Sequence, residues 1–259
     1  MWSAVIALLV VFASVAGLTD SRVYAEETEN WALQAQGQDV GNLIAAVVLV
    51  VTAIRLQRGS RRAGLVWLGT LLYLIYAFIV YAMAVHLNYL FLVYVAVLGL
   101  SAWVLVFHLN HLRVQGLRFP QGRTRTVAAW VIIAIGVLFA GLWLGELVPA
   151  LLTGTVPASL TEAGLWVNPI HVIDLSMVLP GFILAGVAAL GRRRHGLFWL
   201  APWLVFSALM GSSIVAAMVL IRRSGAANTA PATIMVSLVV VASLLAVWGY
   251  LRRTTPQEA

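Results

Sequence analysis

The chain has 259 residues, of which 62% are hydrophobic and only 10% are charged. A soluble domain carries about a quarter charged residues, so this chain cannot cover an aqueous surface with polar groups. Its apolar runs have the length of about 20 residues that a helix needs to cross the hydrocarbon core, whereas barrel strands are about ten residues of alternating polarity. We therefore predict an all-α, polytopic transmembrane helical bundle that forms a single domain over residues 1–259.

Two residue types are absent, and their absence excludes several chemistries. Without cysteine, the chain can form no disulfide, thiolate metal site or iron–sulfur cluster. All 16 basic residues are arginine, so the lysine that a retinal Schiff base requires is missing and retinal is excluded. The net charge of +7 would suit nucleic acid, but the arginines flank apolar runs. We expect the lipid bilayer as the partner of these arginines, and no nucleic acid.

Eight apolar runs are predicted to cross the bilayer, and hydropathy places their approximate ends. They are residues 2–18, 40–56, 63–85, 89–109, 126–148, 169–190, 197–221 and 231–251. The first run, followed by Val23-Tyr24-Ala25, also resembles a signal peptide, and its cleavage would leave seven spans. The absence of a positive side chain before this run favours its retention.

The arginines are distributed unevenly between the two sides of the predicted bundle. Eight crossings place all but Arg22, Arg222 and Arg223 of the 16 arginines on one side. Cytoplasmic loops are enriched in arginine and lysine, so we expect this side to be cytoplasmic. Both termini are then cytoplasmic if the first span is retained.

The acidic residues show the opposite distribution. Of the nine acids, only Glu258 maps to the arginine-rich side. Most of the others suit solvated loops, but Asp39, Glu146 and Asp174 fall within or at the ends of predicted spans. Ionisable groups are costly there, and they indicate function by default.

The segment 168–174 carries the most informative pattern. Asn168 suits a helix N-cap and Pro169 the first helical position, so span six is predicted to begin here. His171 and Asp174 are three residues apart and share one helix face. An imidazole beside a carboxylate can be a metal ligand, a general base or a proton relay. Alternatively, the two side chains only bond each other or cap a neighbouring helix.

Other parts of the chain place polar groups at the same predicted depth. Glu146 closes span five, Asp39 opens span two, and His86 lies in the turn between spans three and four. We therefore predict one outward-facing ligand-binding site, without assigning catalytic residues. Its members are Asp39, His86, Glu146, Asn168, His171 and Asp174.

A divalent metal and a haem are the two cofactors that the histidines and acids of this site could bind. His171, Asp174 and Glu146 are candidate ligands of a divalent metal, because imidazole and carboxylate groups are common metal ligands. A haem between His86 and His171 is disfavoured, because membrane cytochromes usually carry both histidines on one helix.

Several segments resemble a group of uncharacterised bacterial multi-pass inner-membrane proteins. The resemblance is carried by Gln38-Asp39, by Leu90-Phe91-Leu92-Val93-Tyr94-Val95, and by the run from Glu146-Leu147-Val148-Pro149 to Asn168-Pro169-Ile170-His171-Val172-Ile173-Asp174-Leu175. It implies a bacterial inner-membrane location, with no activity, substrate or cofactor attached.

Three kinds of function stay open. The first is binding or transport of a cation, proton or small ligand. The second is a membrane-embedded, metal-dependent enzyme that acts on a lipid or small apolar substrate, with His171 or Glu146 as the base. The third is a structural or accessory subunit, acting with a membrane-protein partner or as a homo-oligomer. An enzyme should offer a lipid-accessible groove, and a transporter polar groups past the midplane.

Overall fold

The structure, a computed structural model, describes residues 1–114, 116–225 and 228–256. This part of the chain contains eight helical segments that are long and apolar enough to cross a membrane. Their number agrees with the eight predicted spans. The chain is therefore a multi-pass integral membrane protein with an all-α fold.

The helices within the described residues are named α1 to α10. Their bounds are α1 Trp2–Thr19, α2 Glu29–Gln57, α3 Arg61–Ala84, α4 Phe91–Val114, α5 Arg123–Thr153, α6 Ala158–Ala163, α7 Pro169–Ile173, α8 Leu179–Leu190, α9 Arg194–Ser224 and α10 Ala230–Arg252. A π-helical turn, Asp174–Val178, joins α7 to α8 and completes the sixth span. We call the end of the bundle where α2 and α7 begin the acidic end, and the opposite end the arginine-rich end.

Helices α3 and α9 form the centre of the bundle. Burial covers 72% of the most apolar window of α3 and 56% of that of α9, against 22% for α4 and α10. Helix α9 packs against α2, α3, α8 and α10. The weakly buried helices instead present apolar side chains such as Leu92 and Leu238 outward, as lipid contact requires.

Helices α2 and α9 cross with almost no space between their backbones. A Cβ added at Gly37 would lie 2.3 Å from the Cα and the backbone nitrogen of Ala217. One added at Gly41 would lie 2.5 Å from the Cβ of Ser213. Both helices thus present small residues four positions apart, the spacing that allows close packing in membranes.

Helix α2 begins at Glu29, well before the predicted residue 40. Thr28 caps it by accepting a hydrogen bond from the backbone N–H of Trp31 at 3.2 Å. The indole of Trp31 donates to the carbonyl of Ala84 at 2.7 Å. This polar first part is held by tertiary contacts, which hydropathy does not detect. Asp39 consequently lies inside α2 and not at the start of the helix.

The segment after span five folds across the acidic end. Helix α5 continues through Pro149 to Thr153 and ends at Gly154, whose φ of 65° lies in the left-handed region. Helix α6 then docks on the start of α2, where the Thr28 hydroxyl donates to the carbonyl of Glu162 at 2.8 Å. The segment therefore covers part of the bundle and is not merely a solvated connection.

A short β-ribbon closes the arginine-rich end. Strand β1, Leu117–Arg118, pairs antiparallel with strand β2, Thr255–Pro256. The pairing ties the residues after α10 to the connection between α4 and α5.

Candidate functional site

Three of the predicted site residues come together at the acidic end. Nε2 of His171 lies 3.9 Å from Oε2 of Glu146. Asp174 accepts a hydrogen bond from the indole of Trp143 at 2.8 Å, and the same indole lies 4.7 Å from the His171 ring. Trp143, which lies on α5, therefore contacts both His171 and Asp174 of span six.

The start of span six explains this geometry. The side chain of Asn168 accepts from the backbone N–H of Ile170 at 2.9 Å, so Asn168 is the helix cap that its sequence context suggests. A π-helical turn begins at Asp174, whose carbonyl accepts from the N–H of Leu179. Pro180 follows and lacks the N–H that a regular α-helix would use. Such turns are frequent at functional sites, and this one carries Asp174 at its first position.

A large cavity of about 580 Å³ lies against Asp174. Its walls are mostly apolar. Its lining residues come from α2, α3, α5, α7, the π-helical turn, α8, α9 and α10, together with Val85 after α3 and Thr229 before α10. On α9 they extend from Phe206 to Ile221, which places the cavity in the acidic half of the bundle. Leu142 lines the cavity and is also 44% exposed, so this wall reaches the lipid-facing surface.

Asp174 lies in the middle of a polar patch on one wall of the cavity. Tyr76 lies beside the Asp174 carboxyl, and Trp143 and Glu146 line the same cavity from α5. Glu146 also accepts a hydrogen bond from Ser159. The lining residues of the described chain include no arginine. An apolar chamber with an acidic wall suits an amphiphile better than a fully polar solute.

Sequence reasoning missed Trp143 and Tyr76 as partners of Asp174. Both are aromatic residues of the kind common at membrane interfaces and helix contacts, and neither lies near Asp174 in the chain. No spacing pattern relates residues on three different helices. The only signal would have been a buried acid on span six, which requires hydrogen-bond donors from its neighbours.

Asp39 belongs to a separate polar cluster. It is 2% exposed and accepts from the hydroxyls of Tyr24 at 2.7 Å and Tyr81 at 2.9 Å. Gly17 of α1 leaves the space for this carboxyl, since a Cβ there would lie 2.1 Å from Oδ2. Burial, together with the negative charge of Asp39, raises the pKa of the Tyr24 hydroxyl well above its usual value. Asp39 thus anchors the segment between α1 and α2; it does not line the cavity, although its partner Tyr81 does.

His86 contacts this same segment and lies apart from His171. Its ring lies 3.0 Å from Glu27, and its backbone N–H donates to the same carboxyl at 2.6 Å. In the same turn, Tyr89 donates to Asp20 at 2.7 Å. Hydrogen bonds from Arg22 and then Tyr89 lower the pKa of Asp20 well below its usual value. These contacts tie the turn after α3 to the segment between α1 and α2.

The described residues contain no group of three His, Asp or Glu side chains arranged to hold a metal ion. Glu146 and His171 approach each other, but Asp174 bonds Trp143. The divalent-metal site stays a prediction, without support from this geometry. Within the described chain, Asp39 and Asp174 also make no ion pair with arginine.

No family model, curated protein or solved structure matches this chain.

Proposed function

We propose that the protein binds an amphiphile with an apolar chain and a cationic, hydrogen-bond-donating head group. The observation that carries this proposal is the cavity of about 580 Å³, whose apolar walls meet an acidic patch at Asp174. Ligand sites are typically cavities of about 300–1,000 Å³ with apolar walls and a few placed polar groups.

The apolar part of the ligand would lie against aromatic and methionine side chains. Phe139, Phe182 and Phe206 line the cavity together with Met210 and Met235. Methionine is flexible and polarizable, so such walls adapt to chains of different shape. The exposed Leu142 offers a route into the cavity from the bilayer.

The head group would meet Asp174. This residue is only 8% exposed, the Trp143 indole donates to one of its oxygens, and the Tyr76 hydroxyl lies beside the carboxyl. An ionised carboxylate accepts at about four lone-pair positions, so capacity remains for a ligand donor. A buried charge without a partner is costly, and no arginine lines the cavity within the described chain. A cationic head would compensate Asp174, with Glu146 as a second acid.

Binding is favoured over transport by the extent of the cavity. Its lining ends near Phe206 on α9 and Val239 on α10, so within the described chain the cavity does not continue into the arginine-rich half. We further propose a bacterial inner membrane with the arginine-rich end in the cytoplasm, because of the arginine distribution. The cavity then serves ligands of the outer leaflet.

A chain-matched series of amphiphiles tests this proposal. Dodecylamine, dodecanol and dodecanoate are titrated into the protein in nanodiscs by calorimetry, with empty nanodiscs as the blank. We expect the amine to bind most tightly and the carboxylate most weakly. Asp174→Asn should weaken amine binding by about tenfold, because a charge-assisted hydrogen bond contributes about 1.5–3 kcal/mol.

The control removes the same charge from the same end of the bundle. Asp20→Asn changes an acid outside the cavity and should leave amine affinity unchanged. Tightest binding by dodecanoate would contradict the proposal, as would equal effects of the two substitutions.

A further inference from the structure

A second, smaller cavity lies at the arginine-rich end. It has a volume of about 300 Å³ and lies between the start of α5 and the end of α10. Its lining residues are Thr124, Trp248, Gly249, Arg252 and Arg253. It is separate from the acidic-half cavity and shares no lining residue with it.

Both arginines of this cavity are held in defined positions. The guanidinium of Arg252 lies 4.3 Å from the centre of the Trp248 ring. Arg253 donates to the hydroxyl of Thr124 at 2.8 Å. A guanidinium has five N–H donors, so these contacts leave most of the donor capacity for a ligand. Positioned guanidinium groups suit the oxygens of a phosphate.

The surroundings of this cavity are positive and open. Neither arginine makes an ion pair with an acid within the described chain. On α5, next to Thr124, Arg125 is 8% exposed; its guanidinium donates to the side chain of Gln121 at 3.0 Å, and its Nε has no hydrogen-bond partner. A Cβ added at Gly249 would meet no atom within 4 Å, so there is open space beside α10 at this position.

The position of the cavity indicates a lipid. Trp248 is 59% exposed near the end of a membrane-spanning helix, as expected of an interfacial tryptophan. Basic pockets at this level of a bundle bind anionic lipid head groups. We propose that Thr124, Gly249, Arg252 and Arg253 bind the phosphate of an anionic phospholipid, with Trp248 beside the head group.

The test measures phosphatidylglycerol binding to the detergent-solubilised protein by native mass spectrometry. We expect the double variant Arg252→Gln/Arg253→Gln to bind about tenfold more weakly, as expected for the loss of charge-assisted hydrogen bonds. The control is Arg192→Gln/Arg193→Gln, which removes the same charge from exposed residues at the same end. It should leave binding unchanged.

A second variant keeps the charge and fills the space. Gly249→Leu should reduce phosphatidylglycerol binding while thermal stability holds, because the added side chain enters the open cavity. Inorganic phosphate, titrated by calorimetry, distinguishes a free anion from a lipid. Saturable phosphate binding as tight as that of the lipid would overturn the lipid assignment. Equal losses in the two double variants would reduce the site to a general basic surface and overturn it as well.

Discussion

Gly37→Ala is expected to lower the free energy of unfolding by about 3 kcal/mol, the upper part of the range for overpacked cores. The added Cβ would lie 2.3 Å from backbone atoms of Ala217, and backbone cannot move aside as a flexible side chain can. Helices α2 and α9 would have to separate, although α9 is central to the bundle. Thermal or denaturant unfolding in one detergent measures the change.

The matched control for this substitution is Gly99→Ala in α4. A Cβ there meets no atom within 4 Å. Alanine is the better helix former by about 1 kcal/mol, so this variant should be as stable as the wild type or more stable. Similar stability of the two variants would contradict the close approach of α2 and α9 at Gly37.

Asp39→Ala is expected to lower the free energy of unfolding by about 2–4 kcal/mol, because a buried polar group that loses its partner costs about 1–3 kcal/mol and a void adds to this. Tyr24 loses its acceptor inside the protein. Tyr81 is less affected, because its hydroxyl also lies 3.0 Å from the carbonyl of Ala35. The segment between α1 and α2 should become more accessible to hydrogen exchange.

Asp39→Asn is the control, since it keeps one acceptor oxygen and the volume of the side chain. We expect it to lose clearly less stability than Asp39→Ala. In a double-mutant cycle, Tyr24→Phe should lose little further stability once Asp39 is alanine. Additive losses for this pair would contradict the hydrogen bond between the two residues.

The spans could be predicted because hydropathy is a local property. The start of α2 could not, since Glu29 to Asp39 is polar and is held by contacts such as that between Trp31 and Ala84. The helix cap at Asn168 could also be predicted from the sequence, because capping depends only on neighbouring residues.

The candidate site was predictable only where helices adjacent in the chain are adjacent in space. Glu146 and His171 meet because α5 packs against the sixth span. Asp39 is also an acid at the same predicted depth in the bilayer as Glu146 and His171. It nevertheless contacts Tyr24 and Tyr81, in a different part of the bundle. The order of helices around a bundle is set by tertiary packing, which the predicted spans alone do not encode.

A photoreactive long-chain amine tests most directly whether the acidic-half cavity is a binding site. The amine is crosslinked to the protein in nanodiscs, and adducts are mapped by peptide mass spectrometry. We expect adducts at cavity residues such as Trp143, Met210 and Met218, and their loss under competition with dodecylamine. Adducts confined to lipid-facing residues such as Leu92, Trp103 and Met177, with no competition, would contradict binding in the cavity.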